Sequence, residues 1–172
     1  MKLYEKIVPA IAREIVETLI ENQDIEVEEE DLLEAQKDFE SIMYEYIRKE
    51  RDLSETTKNI LAARGWSSTK YAEARKIAAS AKGVPRGDEA LEYMVNQMLE
   101  YMLISPHIAE VYAQDNVMRK RCVEIIRRHL KLNEQIEEEV RRRLKHLQEG
   151  TRDWEIAYRR ALEQVRRNKG LI

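Results

Sequence analysis

The chain has 172 residues, carries 33 acidic and 30 basic side chains for a net charge of −3, and contains five glycines, three prolines and one cysteine. This length bounds the protein to one domain or two small ones, which can fold without disulfide or metal staples. The lone Cys122 excludes an internal disulfide and a cysteine-based zinc site, and no apolar run reaches the ~20 residues that span a membrane.

The composition favours a soluble, folded, helical protein. Charged residues make up 37% and apolar residues 43% of the chain, which argues against disorder. The start of the sequence lacks the apolar stretch of a signal peptide, so we expect a cytoplasmic location. The abundance of Glu, Lys and Arg is compatible with a thermophilic source.

Apolar residues recur at helical spacing from the start of the chain. The first stripe is formed by Leu3, Ile7, Ile11, Ile15 and Leu19. Pro9 lies within this stripe, so the first helix is predicted either to begin near Pro9 or to be kinked there. A loop over residues 22–31 and a second helix over residues 31–51 are predicted to follow.

The residues after this second helix contain one predicted helix start and one predicted break. Asp52 followed by Glu55 resembles a capping box and predicts a new helix that ends at Gly65. An alanine-rich helix is predicted over residues 69–81. The glycines and proline of residues 82–88 then break the pattern.

The second half alternates between stripes and breaks in the same way. An apolar row runs from Leu91 to Leu103 and contains Met94, Met98 and Met102. Because leucines and a valine share this row, it is more typical of a core than of an adaptable partner groove. Ser105 is predicted to cap a further helix, and two more helices are predicted over residues 133–149 and after Thr151.

These elements predict an all-α fold of about eight helices. They form two similar four-helix units, residues 1–83 and residues 88–172, joined by a linker at residues 84–87. At an offset of 83 the apolar positions of the two halves coincide, and after a two-residue slip Gly65 corresponds to Gly150. The shared order of helices indicates an internal duplication.

The stretch around Gly150 predicts a structural corner with the pattern Gly-x-x-x-Trp. Gly150 would end one helix, Thr151 would cap the next, and Trp154 would pin the two helices together from the inside. Asp153 and Tyr158 belong to the same corner. We predict that Trp154 is largely buried.

The C-terminal stretch also carries a family resemblance. Residues 140–170, VRRRLKHLQEGTRDWEIAYRRALEQVRRNKG, combine a charged helix, a glycine corner, an acidic residue with tryptophan and a Tyr-Arg-rich helix. The pattern consists of Gly150, Asp153, Trp154, Tyr158, Arg159, Arg160, Arg166 and Gly170. It resembles the C-terminal signature of a bacterial family catalogued as domain of unknown function 507, best over residues 110–170. The resemblance implies an all-helical bacterial protein and offers no catalytic residues.

No pattern predicts catalysis, a cofactor or a metal site. His107, His129 and His146 lack the spacing of a helical zinc or di-iron site, and no Gly-rich phosphate loop or nucleophile motif is present. Cys122 lies in an apolar row, which favours an inert buried thiol. The acidic run over residues 26–34 lacks the pattern of an EF-hand loop. We therefore expect a non-enzymatic protein without a small-molecule substrate.

Charge is distributed unevenly along the chain. Its net value is −9 over residues 1–60, −1 over residues 61–118 and +7 over residues 119–172. Candidate contacts with nucleic acid or another anion are Arg127, Arg128, Arg142, Arg159 and Arg167. Five glutamates precede arginines by four residues, in the pairs Glu137–Arg141, Glu138–Arg142, Glu139–Arg143, Glu155–Arg159 and Glu163–Arg167. Such pairing favours a self-paired surface over a nucleic-acid surface.

The leading functional hypothesis is a non-enzymatic protein that acts through contacts with a protein partner or with a second copy of itself. The alternative is a nucleic-acid-binding protein that uses the Arg-rich residues 119–169. No membrane partner is expected.

Overall fold

Six α-helices and two short β-strands make up the protein in a computed structural model that describes residues 2–172. The helices are α1 (Val8–Glu21), α2 (Leu32–Arg64), α3 (Tyr71–Lys82), α4 (Asp88–Ile104), α5 (Asp115–Arg143) and α6 (Arg152–Asn168). Strands β1 (Ile25–Glu26) and β2 (Glu110–Val111) pair antiparallel. The predicted all-α fold is confirmed. Within the described residues, no helix is both long enough and apolar enough to cross a membrane.

The chain divides into two compact units. Unit 1 comprises Met1–Ile126 and unit 2 comprises Arg127–Ile172, so that α5 contributes residues to both. Residues 84–87, the predicted linker, connect α3 to α4 within unit 1. The division into related segments 1–83 and 88–172 stays a prediction about the sequence.

Helices α2 and α5 are each continuous where the sequence predicts two helices, so the predicted eight helices are six among the described residues. The predicted helix start at Asp52 is wrong because the next residues continue the packed face of α2. Leu53 and Thr57 are fully buried, and the Thr57 hydroxyl donates to the Leu53 carbonyl at 2.7 Å. Asn133, at the predicted break in α5, is likewise buried within a continuous helix.

The segment after α4 also differs from the prediction, since Ser105 does not cap a new helix. Its Oγ accepts a hydrogen bond from the His107 backbone N–H at 3.0 Å and donates one to Tyr101 Oη at 2.8 Å. The chain then forms β2, and α5 begins only at Asp115. Strands of two residues are too short to show alternation, so they are not predictable from the sequence.

The core of unit 1 is built from the apolar stripes of its helices. Helices α1 and α4 both contact α2, and the contact with α1 is the more extensive of the two. The methionine row is buried, as predicted: Met94, Met98 and Met102 are at most 2% exposed. Leu103 departs from that prediction and is 66% exposed, because it lies in the last turn of α4, where the buried face ends.

The turn after α1 forms a buried corner that holds three segments of unit 1. Gln23 adopts a left-handed backbone with φ of 59°. The carbonyl of buried Asp24 accepts hydrogen bonds from the backbone N–H groups of Tyr112 and Ala113 at 2.8 and 3.1 Å. Arg121 Nε lies 2.6 Å from Asp24 Oδ2, an ion pair without the alignment of a hydrogen bond. This corner joins the end of α1 to β2 and α5.

The C-terminal half of α2 packs against α3. Their small core consists of Leu53, Ala78 and Ala79, covered by Ile60 and Val84. The alanines allow the two helices to approach closely. Arg75 of α3 forms an ion pair with Glu50 of α2 and donates to Ser54 Oγ at 3.2 Å, which fixes the pairing from its polar side.

Unit 2 consists of the last part of α5 and the whole of α6. Its core is formed by Ile136, Val140, Leu144 and Val165. Gly150 has φ of 88°, a conformation that glycine adopts without steric cost. Thr151 Oγ1 accepts the Trp154 backbone N–H at 3.2 Å, which confirms the predicted cap of α6.

Candidate binding surfaces

One end of unit 1 is strongly acidic. We define this acidic end as residues 26–38 and 100–115, which contain ten carboxylates and a single lysine, Lys37. Lys37 lies 3.6 Å from Glu34 and is thereby already paired. A surface of this kind repels anions and attracts cationic partners.

Side-chain hydrogen bonds hold the segments of the acidic end together. Tyr101 Oη donates to Asp38 Oδ2 at 2.6 Å, which joins the end of α4 to the start of α2. His107 Nδ1 lies 3.3 Å from Asp31 Oδ1, and Tyr112 Oη donates to Glu26 at 2.6 Å. Burial, followed by the bond to Asp38, raises the pKa of Tyr101, so its hydroxyl stays a donor. The acidic end is therefore a fixed surface.

Large apolar side chains lie exposed on this acidic end. Ile104 is 82% exposed, Leu103 66%, Tyr112 63% and Leu33 60%. All four belong to segments that the contacts above bring together. Apolar side chains exposed as a group on a charged surface are typical of protein-binding sites. This surface is not predictable from the sequence, because the periodicity of α4 predicts that Leu103 is buried.

The five arginines predicted as anion contacts are all exposed and lie on α5 and α6 of unit 2. Unit 2 contains 13 basic and eight acidic side chains, a net charge of +5, whereas unit 1 carries −8. Arg167 forms an ion pair with Glu163 at 2.7 Å. Among the described residues, neither Arg142 nor Arg159 has a carboxylate within ion-pair distance. Arg127 and Arg128 are the other two predicted contacts.

The predicted self-pairing of the basic surface is therefore only partly formed. Glu163–Arg167 and Glu139–Arg143 are present, the latter at 2.9 Å. Glu137 is buried, and Tyr158 Oη donates to its two carboxylate oxygens at 2.8 Å each. Arg141, Arg142 and Arg159 have no ion pair among the described residues. The prediction of self-pairing is wrong for these three arginines. Because they have no ion pair within the described chain, they are available to a partner.

The outer face of α6 combines these cations with an exposed apolar residue. Ile156 is 44% exposed. Its neighbours at three and four residues' distance on the helix are Arg152, Arg159, Arg160 and Asp153. Three arginines and one aspartate thus surround Ile156, and we call this group the α6 outer face.

The Gly150 corner is a packing feature of unit 2. Trp154 is half-buried and stacks on Tyr158, with ring centroids 5.1 Å apart and an interplanar angle of 20°. It packs against the core of unit 2 as a partly buried side chain. Asp153 in the same turn is exposed. Trp66, which follows Gly65 in the first half, is instead flanked by the cations of Arg64 and Lys70.

A small open cleft of about 150 Å³ lies between α2, the residues after α3 and α4. Lys49, Asp52, Lys82 and Tyr93 contribute its polar groups. Lys49 Nζ donates to Tyr93 Oη at 2.7 Å, and this bond is the main cause that raises the pKa of Lys49. Since the lysine is already satisfied and Asp52 would repel an anion, the cleft offers little to a ligand. Among the described residues, no three His, Cys, Asp or Glu side chains are placed so that they could hold a metal ion.

A family model described as protein of unknown function (DUF507) matches residues 1–171. The match therefore extends well beyond residues 110–170, where the sequence resemblance is strongest. No curated protein matches the chain significantly.

Proposed function

The chain belongs to the DUF507 family of proteins of unknown function, and we propose that it is a non-enzymatic bacterial protein of the cytoplasm that acts by binding another protein. The observation that supports this proposal is the acidic end of unit 1. There, Leu103 and Ile104 lie exposed on a surface that the hydrogen bonds of Tyr101 and Tyr112 hold in place.

The chemistry of this surface defines the partner. Burial of a large aliphatic side chain contributes roughly 1.5–3 kcal/mol, so Leu103 and Ile104 together can supply a substantial part of a binding free energy. The ten surrounding carboxylates favour a partner with arginine or lysine around an apolar side chain and accelerate its association. Nucleic acid is repelled by the same carboxylates.

Affinity capture with a matched pair of variants tests this proposal. The first bait combines Leu103→Ser with Ile104→Ser, and the control bait combines Leu171→Ser with Ile172→Ser, which are also exposed. We expect wild type and control to retain a partner that the first variant loses. The purified partner should then bind the first variant about tenfold or more weakly, a difference of ~1.4 kcal/mol. A partner set unaffected by the first variant contradicts the proposal.

Nucleic-acid binding by unit 2 is a second candidate, favoured by Arg142 and Arg159, which lack carboxylate partners among the described residues. Fluorescence anisotropy with duplex DNA and duplex RNA would measure it. Binding through about four phosphates should weaken with a slope near −3.5 in log K against log salt. Arg142→Glu with Arg159→Glu should abolish it, whereas Arg51→Glu in unit 1 should not. Absence of binding at low salt eliminates this candidate.

We also infer an internal duplication, now with three helices in each half. The order of elements supports it, since a helix, a two-residue strand, a long helix and a shorter helix occur twice. Gly65 and Gly150, which correspond in the sequence comparison, both adopt positive φ. Alignment of the family's first halves with its second halves tests this idea, and chance-level similarity at every offset would contradict it.

A further inference from the structure

We propose that the acidic end of one copy of this protein binds the α6 outer face of a second copy. This inference rests on the proposed function and specifies its partner. It follows from two surfaces of opposite charge, each with an exposed apolar centre, that occur on the same chain.

The charges of the two surfaces are complementary. The acidic end has ten carboxylates against one lysine, and that lysine is already paired with Glu34. The α6 outer face presents Arg152, Arg159 and Arg160 around Ile156, with Asp153 as the single carboxylate neighbour. Among the described residues, these three arginines have no carboxylate within ion-pair distance. They can therefore pair with a partner without breaking an existing ion pair.

The apolar centres are complementary as well. Ile156 projects from a helix face, with nearly half of its surface exposed. Leu103 and Ile104 are the last two residues of α4 at the acidic end, and both are more exposed than Ile156. Contact between these residues removes three aliphatic side chains from water while the charged residues form a polar rim, the arrangement of a typical protein interface.

The partner is a second copy because each chain carries both halves of the interface. The two surfaces differ, so the contact is heterologous, and each bound copy leaves one acidic end and one α6 outer face free. Association therefore continues into a ring or a linear chain. The assembly should grow with protein concentration and dissociate as salt screens the charges.

Sedimentation velocity from about 1 to about 200 µM protein, at ~50 and ~500 mM NaCl, measures this association. We expect wild type to form oligomers that grow with concentration at low salt and to be largely monomeric at high salt. Ile104→Lys introduces a cation opposite the arginines, and Ile156→Asp introduces an anion opposite the acidic end. Each variant alone should be monomeric at low salt.

A mixture of the two variants gives the sharpest result. Ile104→Lys retains an intact α6 outer face, and Ile156→Asp retains an intact acidic end. Mixed in equal amounts, they should recover association, which begins with a one-to-one dimer held by the two intact surfaces. Both substitutions are at exposed sites, and circular dichroism would confirm that each variant folds. Arg159→Glu replaces Ile156→Asp if the latter is unfolded.

Several outcomes overturn the inference. They are a wild type that stays monomeric at low salt, a single variant that associates like wild type, or a mixture that stays monomeric. If wild type is monomeric while Leu103→Ser with Ile104→Ser still loses a captured partner, self-association fails and the proposed function stands. If that double variant also keeps every partner, both fail.

Discussion

Gln23 shows how a single residue can depart from the preference of its position. It follows the end of α1 and adopts φ of 59°, the left-handed region that glycine usually occupies after a helix. A side chain there costs roughly 1 kcal/mol. The turn persists because Asp24 beside it is buried, accepts two hydrogen bonds from the residues that follow β2 and forms an ion pair with Arg121 of α5.

Gln23→Gly should therefore stabilise the protein. Relief of the backbone strain outweighs the greater freedom of glycine in the unfolded chain, and we expect a net gain of about 0.5 kcal/mol. Urea denaturation would measure it. The same substitution at exposed Gln135, within α5, should instead cost about 1 kcal/mol. A loss of stability at position 23 would show that the Gln23 side chain contributes more than its backbone costs.

Helix α6 illustrates how an element is fixed at its start. Thr151 caps it, and Trp154 stacks on Tyr158, whose hydroxyl donates to buried Glu137 of α5. The tryptophan therefore also keeps in place the donor that satisfies a buried carboxylate. Trp66, at the start of the corresponding segment after α2, has Arg64 and Lys70 over its ring at 4.8 and 5.5 Å instead.

Trp154→Ala should cost about 2 kcal/mol of unit 2 stability, less than the loss of a fully buried tryptophan, because the side chain is only partly buried. Hydrogen exchange of the α6 amides would report the loss. Trp66→Ala is the matched control, and removal of its cation–π contacts should cost about 1 kcal/mol or less. Equal losses at the two positions would contradict the packing role assigned to Trp154.

The sequence predicts whole helices better than their ends. The α6 cap and the buried methionines of α4 are predictable, because capping residues and apolar spacing act locally. The capping-box pattern at Asp52 and Glu55 is misleading, because burial of Leu53 against Ala78 of α3 outweighs it. The exposed end of α4 was not predictable either, since the depth of a core depends on contacts distant in the sequence.

At the scale of the whole molecule, a buried thiol and two phenols make the free energy of unfolding depend on pH in the alkaline range. Burial, with a smaller effect of Asp24, raises the pKa of Cys122 from 9.0 to about 12, against the opposing charge of Arg119. Burial also raises the pKa of Tyr46 and Tyr101, each beside a carboxylate. All three groups stay protonated in the folded protein at a pH where the unfolded chain loses its protons.

The free energy of unfolding therefore falls as the pH rises through this range. The contribution of Cys122 is fully present below pH 9 and is lost as the pH rises from 9.0 toward about 12. We expect the free energy of unfolding to fall by up to ~1.4 kcal/mol per pH unit for this group. Urea denaturation between about pH 8 and 10 would measure it. Cys122→Ala should show a shallower fall, and an unchanged slope would mean that the thiol ionises in the folded state.

The corner at Asp24 has a consequence for synthesis of the chain. The Asp24 carbonyl accepts hydrogen bonds from the amides of Tyr112 and Ala113, and its carboxylate pairs with Arg121. All three partners leave the ribosome roughly ninety residues after Asp24. Until then, α1, α2 and α3 can form, but Asp24 lacks the partners that stabilise its burial in the folded unit. The nascent chain should thus remain exposed to chaperones and proteases up to the middle of α5, and unit 1 should close in a single late step.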